Sequence, residues 1–238
     1  MWKALLEQTL EASTFACLRS VAFDYFSGLG ASRLSYHHYP PLGAVDYTPK
    51  ITVAAVGYPD SWINTYMKQE LYKDDPIIRH AAIATRPFRW EDIQDLTELS
   101  AAEKRFLSFV SEYEVGEGLA VPVFGPHGRN GYFGVGYLNS ACPIDLRIQA
   151  EIQMGCQLVH LRYCELLREA LPHLPDLSSQ ERTVLQLVSQ GLTNSAIADQ
   201  MRVSKKTVAT YLGRCFDKLD VHDRMTAALR ALAAGLLD

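Results

Sequence analysis

The sequence predicts two parts: an N-terminal α/β domain, an α-β-α sandwich on a mostly antiparallel sheet, and a small all-α C-terminal domain. Three observations lead there. Helical and strand-like patterns alternate through residues 1–171. "LPHLPDLS" (171–178) then interrupts the pattern with Pro172 and Pro175, which cannot continue a helix. No strand-like run follows, and the remaining residues read as short helices.

Residues 2–27 read as helical and end near Gly28 and Gly30. "RLSYHHY" (33–39) and "ITVAAVGY" (51–58) read as strands joined by a Pro- and Gly-bearing loop. Residues 60–72 and 76–85 read as helices, "FRWEDI" (88–93) as a short extended piece, and 100–114 as a helix. "GLAVPVF" (118–124) and "GYFGVGYLN" (131–139) flank "GPHGRN", a hairpin signature because Gly, Pro and Asn supply turn dihedrals. Pro122 suggests an edge or irregular position. From Asp145 to Leu171, Ile148, Ile152, Cys156, Val159 and Tyr163 recur at three- and four-residue steps, one stripe along a long helix. The expected division is 1–171 for the first domain, 172–177 for a linker and 178–238 for the second.

Composition narrows the class. The chain has 238 residues, 48% of them apolar, enough for a sizeable core. No apolar run approaches the ~20 residues of a membrane helix, and "MWKALLEQTLEAS" does not resemble a signal peptide. No membrane association and a cytoplasmic location are expected. The five cysteines are odd in number and lack a C-x-x-C pair, which argues against a disulfide framework and against zinc. His37 and His38 have no partner at metal spacing and read as strand or loop surface. Residues 1–172 carry 15 Lys/Arg against 20 Asp/Glu, while 173–238 carry 8 against 7. Bulk charge therefore does not point to nucleic acid. No nucleophile–base pair, metal set or phosphate loop stands out, so neither an enzyme nor a cofactor is expected.

The C-terminal segment is the most specific. Ser178 to Glu181 is S-x-x-E, a capping box. Val184, Leu185 and Val188 form one apolar face, and Gly191 sits where a left-handed C-cap closes the helix. Thr193 caps a short helix with Ile197, Ala198 and Met201 inward. After "RVS", Ser204 caps a longer helix with Val208, Leu212, Cys215 and Leu219 on one face, and Asp223 caps a fourth ending near Gly235. A short helix, a tight turn and a longer helix with a polar outer side form the helix-turn-helix pattern, whose second helix fits the DNA major groove.

With Glu181, Leu185, Gly191, Ile197–Ala198, "S-x-x-T-V" at 204–208 and Lys218–Leu219, this segment resembles the C-terminal domain of LuxR-type regulators. The resemblance implies that Lys205, Lys206, Thr207, Thr210 and Arg214 face double-stranded DNA. Ala209 stands where the family often has Lys or Arg, Tyr211 where His is common, and Gly213 offers no side chain to a base. Base readout then leans on Thr210, Arg214 and DNA shape.

Upstream, a phosphorylated receiver domain is not expected, because residues 1–40 lack the acidic pair it requires. Instead Trp62, Tyr66, Asp75, Pro76, Trp90 and Gly118, followed by "LAVPV", resemble the autoinducer-binding domain of the same family in type and spacing. The resemblance implies a cytoplasmic transcription factor that binds N-acyl-homoserine lactones as a homodimer. The residue chemistry suits such a ligand. Trp62 can only donate, which fits the lactone carbonyl; an ionised Asp75 can only accept, which fits the amide N–H. Tyr66, one helical turn from Trp62, can donate to the amide carbonyl. Tyr58 adds a hydroxyl, and Trp90 a flat wall. Val53, Ala55, Ile77, Val121, Val135 and Tyr137 are candidates for the tail compartment. Gly136 stands where some relatives place Ser or Thr against the ligand amide. Two other readings stay open: a receptor for a different small amide or lactone, and a ligand-independent DNA-binding dimer.

Overall fold

Thr14 divides the first helical stretch. In the computed structural model, which describes residues 1–48, 52–113, 115–138 and 145–237, α1 (Trp2–Glu11) ends at an extended Ala12. The Thr14 side chain then accepts from the Cys17 amide at 3.1 Å and opens α2 (Phe15–Gly28). The expected single helix is two, because a hydroxyl N-cap satisfies a terminal amide that an unbroken helix would not expose.

β1 (Arg33–Tyr39) and β2 (Thr52–Val56) pair antiparallel, with Tyr36 opposite Ala54; Ile51 lies outside the described residues. α3 (Asp60–Lys68) stops short of residue 72, since Glu70 turns left-handed (φ 52°). Leu71–Lys73 form a separate 3-10 turn. Asp75 caps α4 (Pro76–Ala81), whose first helical residue is a proline that needs no amide partner there. The expected extended segment shrinks to β3 (Phe88–Arg89), and α5 (Ile93–Leu96) follows. A Ser100–Glu103 capping box opens α6 (Ala101–Val110), which closes at Ser111 and so stops short of the expected end at 114; Glu114 itself lies outside the described residues.

β4 (Glu117–Val123) and β5 (Asn130–Tyr137) form the expected hairpin; its outer residue Asn139 lies outside the described residues. The five strands run antiparallel in the order β2-β1-β5-β4-β3. Pro122 sits in an inner strand, yet β3 pairs only with Leu119 and Ala120 and stops before reaching it. That side of Pro122 is therefore an edge, which is where a residue without an N–H belongs. α7 (Leu146–Ala170) follows, with Ile152, Cys156 and Val159 buried as the stripe predicts.

Side chains alternate across a sheet, and here the two faces meet different cores. Leu34, Tyr36, Leu119, Val121, Val123, Phe133 and Val135 pack with Leu5, Phe26 and Ile152 of α1, α2 and α7. On the opposite face α3, α4 and α6 supply Trp62, Tyr66, Ile77 and Phe106, which pack with Ala120 and Tyr132. Together they make the expected sandwich.

The chain divides into two compact units: Met1–Tyr39 with Lys50–Pro126 and Asn130–Glu169, and Pro40–Pro49 with His127–Arg129 and Ala170–Asp238. The second contains α8 (Ser179–Ser189), α9 (Asn194–Met201), α10 (Lys205–Leu219) and α11 (Arg224–Ala233). Side chains of Ser178, Thr193, Ser204 and Asp223 cap them in turn. Gly191 takes a positive φ (83°), as a left-handed helix closure requires. Val184, Leu185, Ile197, Val208, Cys215 and Leu219 share one core. Glu181 does more than cap. Its buried carboxylate accepts from the Ser178 amide at 2.8 Å and from Lys218 Nζ at 2.7 Å, tying α8 to α10. Burial alone would raise its pKa, but Lys218 and Ser178 together hold the carboxyl below the ordinary 4.5.

Removing Lys218 strands that carboxylate. Lys218→Met is expected to cost about 1–3 kcal/mol near neutral pH, less than a fully buried pair because the ammonium is partly solvated. A carboxylate with a lowered folded-state pKa adds stability above its unfolded value and loses it on acidification. The wild-type advantage over Lys218→Met in denaturant melts should therefore shrink as pH falls below 4.5. A difference that stays constant from neutral pH to pH 3 would exclude the ion pair as its source.

Candidate ligand cavity and DNA-reading helix

The second sheet face is short of side-chain bulk. Gly118 lies on β4, and Gly134 and Gly136 lie opposite Ser35 and Arg33 on β5. Trp90 fills the space they leave. A Cβ on Gly118 would stand 2.7 Å from the indole, one on Gly134 3.2 Å and one on Gly136 3.1 Å. The Trp90 amide also donates to the Gly118 carbonyl at 2.9 Å. The indole is thus laid on a glycine floor, and its side-chain N–H has no partner among the described residues.

Between this floor and α3, α4 and α6 lies a cavity of about 350 Å³. Tyr58, Trp62, Tyr66, Asp75 and Trp90 all line it, along with Val53, Ala55 and Ile77. Pro76 does not line it but starts α4 behind Asp75. Gly118 and Gly136 serve it through Trp90, and the room left at Gly136 is taken by that ring and by Arg33. Val121, Val135 and Tyr137 are misassigned as tail contacts. They lie on the other sheet face, in the core with Phe26 and Ile152, because strand parity sends neighbouring residues to opposite sides.

The sequence reading missed Ser35, His37 and Tyr132, which also line the cavity. His37 and His38 are buried rather than on the surface. The His37 ring stacks on Tyr132 at 4.3 Å and 19°. Burial lowers the His37 pKa to about 3, so the ring is neutral. The period-two alternation of "RLSYHHY" puts residues 33, 35 and 37 on one face, and that was the signal available.

Asp75 is the electrostatic centre. Its Oδ2 accepts from the Tyr66 hydroxyl at 2.7 Å and its Oδ1 from the Ile77 amide at 2.9 Å. Burial pushes its carboxyl up to about 6 against these stabilising bonds. Burial likewise raises Tyr66 and Tyr132 well above the ordinary tyrosine value, and Tyr58 to about 12, so all three phenols stay protonated at neutral pH. The single Tyr66 proton is already committed to Asp75. Tyr66 therefore orients the carboxylate, and a donor role toward a ligand carbonyl would require it to leave Asp75. Asp74, next along, is exposed.

In the second unit α10 presents Lys205, Lys206, Thr210 and Arg214 to solvent, with Thr207 half-buried. The Thr207 and Ser204 hydroxyls lie 2.8 Å apart, and the Thr210 hydroxyl donates to the Lys206 carbonyl at 3.0 Å.

Residues 15–163 match the model of the autoinducer binding domain, and residues 175–231 that of bacterial regulatory proteins of the luxR family. The chain belongs to the LuxR family of transcriptional regulators. These are DNA-binding regulators with an autoinducer-binding domain and are not enzymes. This regulator is 26% identical to the quorum sensing-dependent transcriptional regulator RpaR of Rhodopseudomonas palustris, across 79% of this chain and 76% of that one. It is 24% identical to the transcriptional activator TraR of Agrobacterium vitis, across 88% and 85%. The crystal structure of Escherichia coli SdiA shares its fold, with a TM-score of 0.80 over 99% of this chain and 97% of that one at 16% identity. Another structure, of SdiA in complex with octanoyl-rac-glycerol, gives 0.78 at 16% identity over 98% and 94%. No helix among the described residues is long and apolar enough to cross a membrane.

The glycine floor makes a direct prediction. Gly118→Ala puts a Cβ against the Val135 carbonyl and the indole at the same time. Overpacking of this kind typically costs about 1–3 kcal/mol. A thermal melt read by tryptophan fluorescence should show both the loss and an altered indole emission; wild-type values for both would mean that Trp90 does not rest there.

Proposed function

We propose that this regulator senses an N-acyl-homoserine lactone or a close N-acyl amide, and binds an inverted-repeat operator as a homodimer in the cytoplasm. The observation that carries the ligand reading is the convergence of Trp62, Tyr66 and Asp75 on one cavity with apolar walls at Val53, Ala55 and Ile77. An ionised Asp75, aligned by Tyr66, accepts the ligand amide N–H. Trp62 donates to a carbonyl, Tyr58 adds a hydroxyl, and Trp90 stacks on the head group. Such a cavity, mostly apolar with a few polar groups, fixes a ligand's orientation. Residues 1–171 form the sensing and dimerising part, 172–177 the linker and 178–238 the reader. The dimer reading draws on the outer side of α7, where Leu146, Met154 and Leu161 are exposed. Lys205 and Lys206 hold phosphates at the start of α10, while Thr207, Thr210 and Arg214 face the groove.

A ligand that binds only the folded state stabilises it by about 2.7 kcal/mol at roughly a hundred times Kd. The melting temperature should rise by several degrees with an N-acyl-homoserine lactone panel and not with the free acyl alcohols. Asp75→Asn should keep the fold, since its side-chain oxygen can still cap α4, yet lose at least about tenfold in affinity. An Asp75 carboxyl raised to about 6 destabilises the ligand-free fold above that pH, opposite in sign to Glu181. Ligand affinity should fall as pH drops through 6, because the acceptor becomes protonated. No stabilisation by any lactone, together with an inert Asp75→Asn, would refute the acyl-lactone reading. An octanoylglycerol in the same panel tests the second reading, a different head group on the same acyl tail.

For the reader, Arg214→Ala should weaken operator binding by about 1–3 kcal/mol and blur the sequence preference at its base. Lys206→Ala should weaken all sequences alike and reduce the salt slope by about one. Gel shifts at several salt concentrations separate the two; identical behaviour would reverse the assignment.

A further inference from the structure

The cavity face of β1 carries three side chains, Arg33, Ser35 and His37, of which the last two line the cavity. Arg33 is only 3% exposed. Its Cζ stands 5.7 Å from the ring centroid of Tyr58, and a Cβ on Gly116 would stand 3.3 Å from its Nη1. Tyr58 and Gly116 are both wall residues. On the other side, Gly136 separates the Arg33 Cβ from the Trp90 ring, with 3.2 Å and 3.1 Å to a Cβ built there. The guanidinium is therefore packed against the wall residues Tyr58 and Gly116, while the Arg33 Cβ lies towards the Trp90 ring.

Neither Nε nor Nη1 of Arg33 has a hydrogen-bond partner among the described residues. The carboxylate that lines the cavity, Asp75, is engaged by Tyr66 and Ile77. A guanidinium does not shed its proton in a protein. A buried charge of this kind is held at a cost unless a counter-charge arrives, and the Tyr58 ring face offsets only part of that cost. The indole N–H of Trp90, another wall residue, also has no partner among the described residues. Every one of these unmet groups is a donor.

We propose that Arg33 reads a carboxylate on the ligand. The cavity then prefers an N-acyl amino acid, of which ring-opened N-acyl-homoserine is the form nearest to an acyl lactone, over the neutral ring. This rests on reading the cavity as an N-acyl amide site and narrows its head group. A carboxylate offers two oxygens, which match the guanidinium fork and leave an acceptor lone pair for Trp90. A lactone carbonyl offers one oxygen and no charge.

The test uses the full chain with two probes, N-octanoyl-homoserine lactone and its ring-opened carboxylate, titrated by calorimetry near neutral pH. The carboxylate should bind at least about tenfold more tightly to the wild type. Arg33→Met should remove that preference while leaving lactone affinity within about threefold, and Arg33→Lys should retain part of it. The wild-type preference stands as a measurement even if Arg33→Met does not fold. Equal or tighter binding of the lactone by the wild type would overturn the carboxylate assignment alone. So would an Arg33→Met or Arg33→Lys protein that loses both probes in proportion, since that marks a purely structural arginine. If neither probe binds, the N-acyl amide reading falls as well.

Discussion

The alternation of side chains across β1, β4 and β5 is the constraint on which the sensing unit depends. One parity, with Leu34, Tyr36, Val121, Phe133 and Val135, is bulky and apolar and packs against α1, α2 and α7. The other carries Arg33, Ser35, His37 and Tyr132 beside the bare Gly118, Gly134 and Gly136. A sheet that buried large apolar side chains on both faces would have no room for a ligand. Here the glycines on the second face admit Trp90, and that ring closes one wall of a cavity. A one-residue slip of register would exchange the two faces and abolish both the core and the site.

The cavity is electrostatically unfinished. Asp75 is a half-buried acceptor whose carboxyl is raised to about 6 by its surroundings. Trp90 and Arg33 hold buried donors without partners among the described residues. Unmet polar groups in a folded interior are costly, and a ligand able to satisfy both kinds gains that energy on binding. The same imbalance makes the polar groups of a ligand, rather than its apolar part, the discriminating feature: apolar walls separate ligands differing by a methylene weakly, while a site built to hydrogen-bond rejects a ligand lacking the group strongly.

The reading unit works by a different principle. Its helices are short, and each begins at a side-chain cap. Glu181 joins the cap of α8 to Lys218 on α10, so that local capping and the docking of the recognition helix are one interaction. Lys205 and Lys206 remain exposed at the start of that helix.

Local physics made much of this legible in the sequence. Caps at Ser178, Thr193, Ser204 and Asp223, the closure at Gly191 and the stripe on α7 depend on neighbours within a few residues, so the pattern of residues determined them. The spacing of Trp62, Tyr66, Asp75 and Trp90 pointed to a shared cavity because family resemblance carries three-dimensional information. A missed cap at Thr14 blurred the helix boundaries, as did the left-handed turn at Glu70 and the early end of α6 at Val110. Tertiary structure alone decided the non-local matters. It set which parity of β4 and β5 faces the cavity, moving Val121, Val135 and Tyr137 into the core. It buried His37, paired Tyr66 with Asp75, and left Arg33 as a charge without a described hydrogen-bond partner. Each of these depends on strand register and on which groups meet across the fold, and a linear sequence does not carry that geometry.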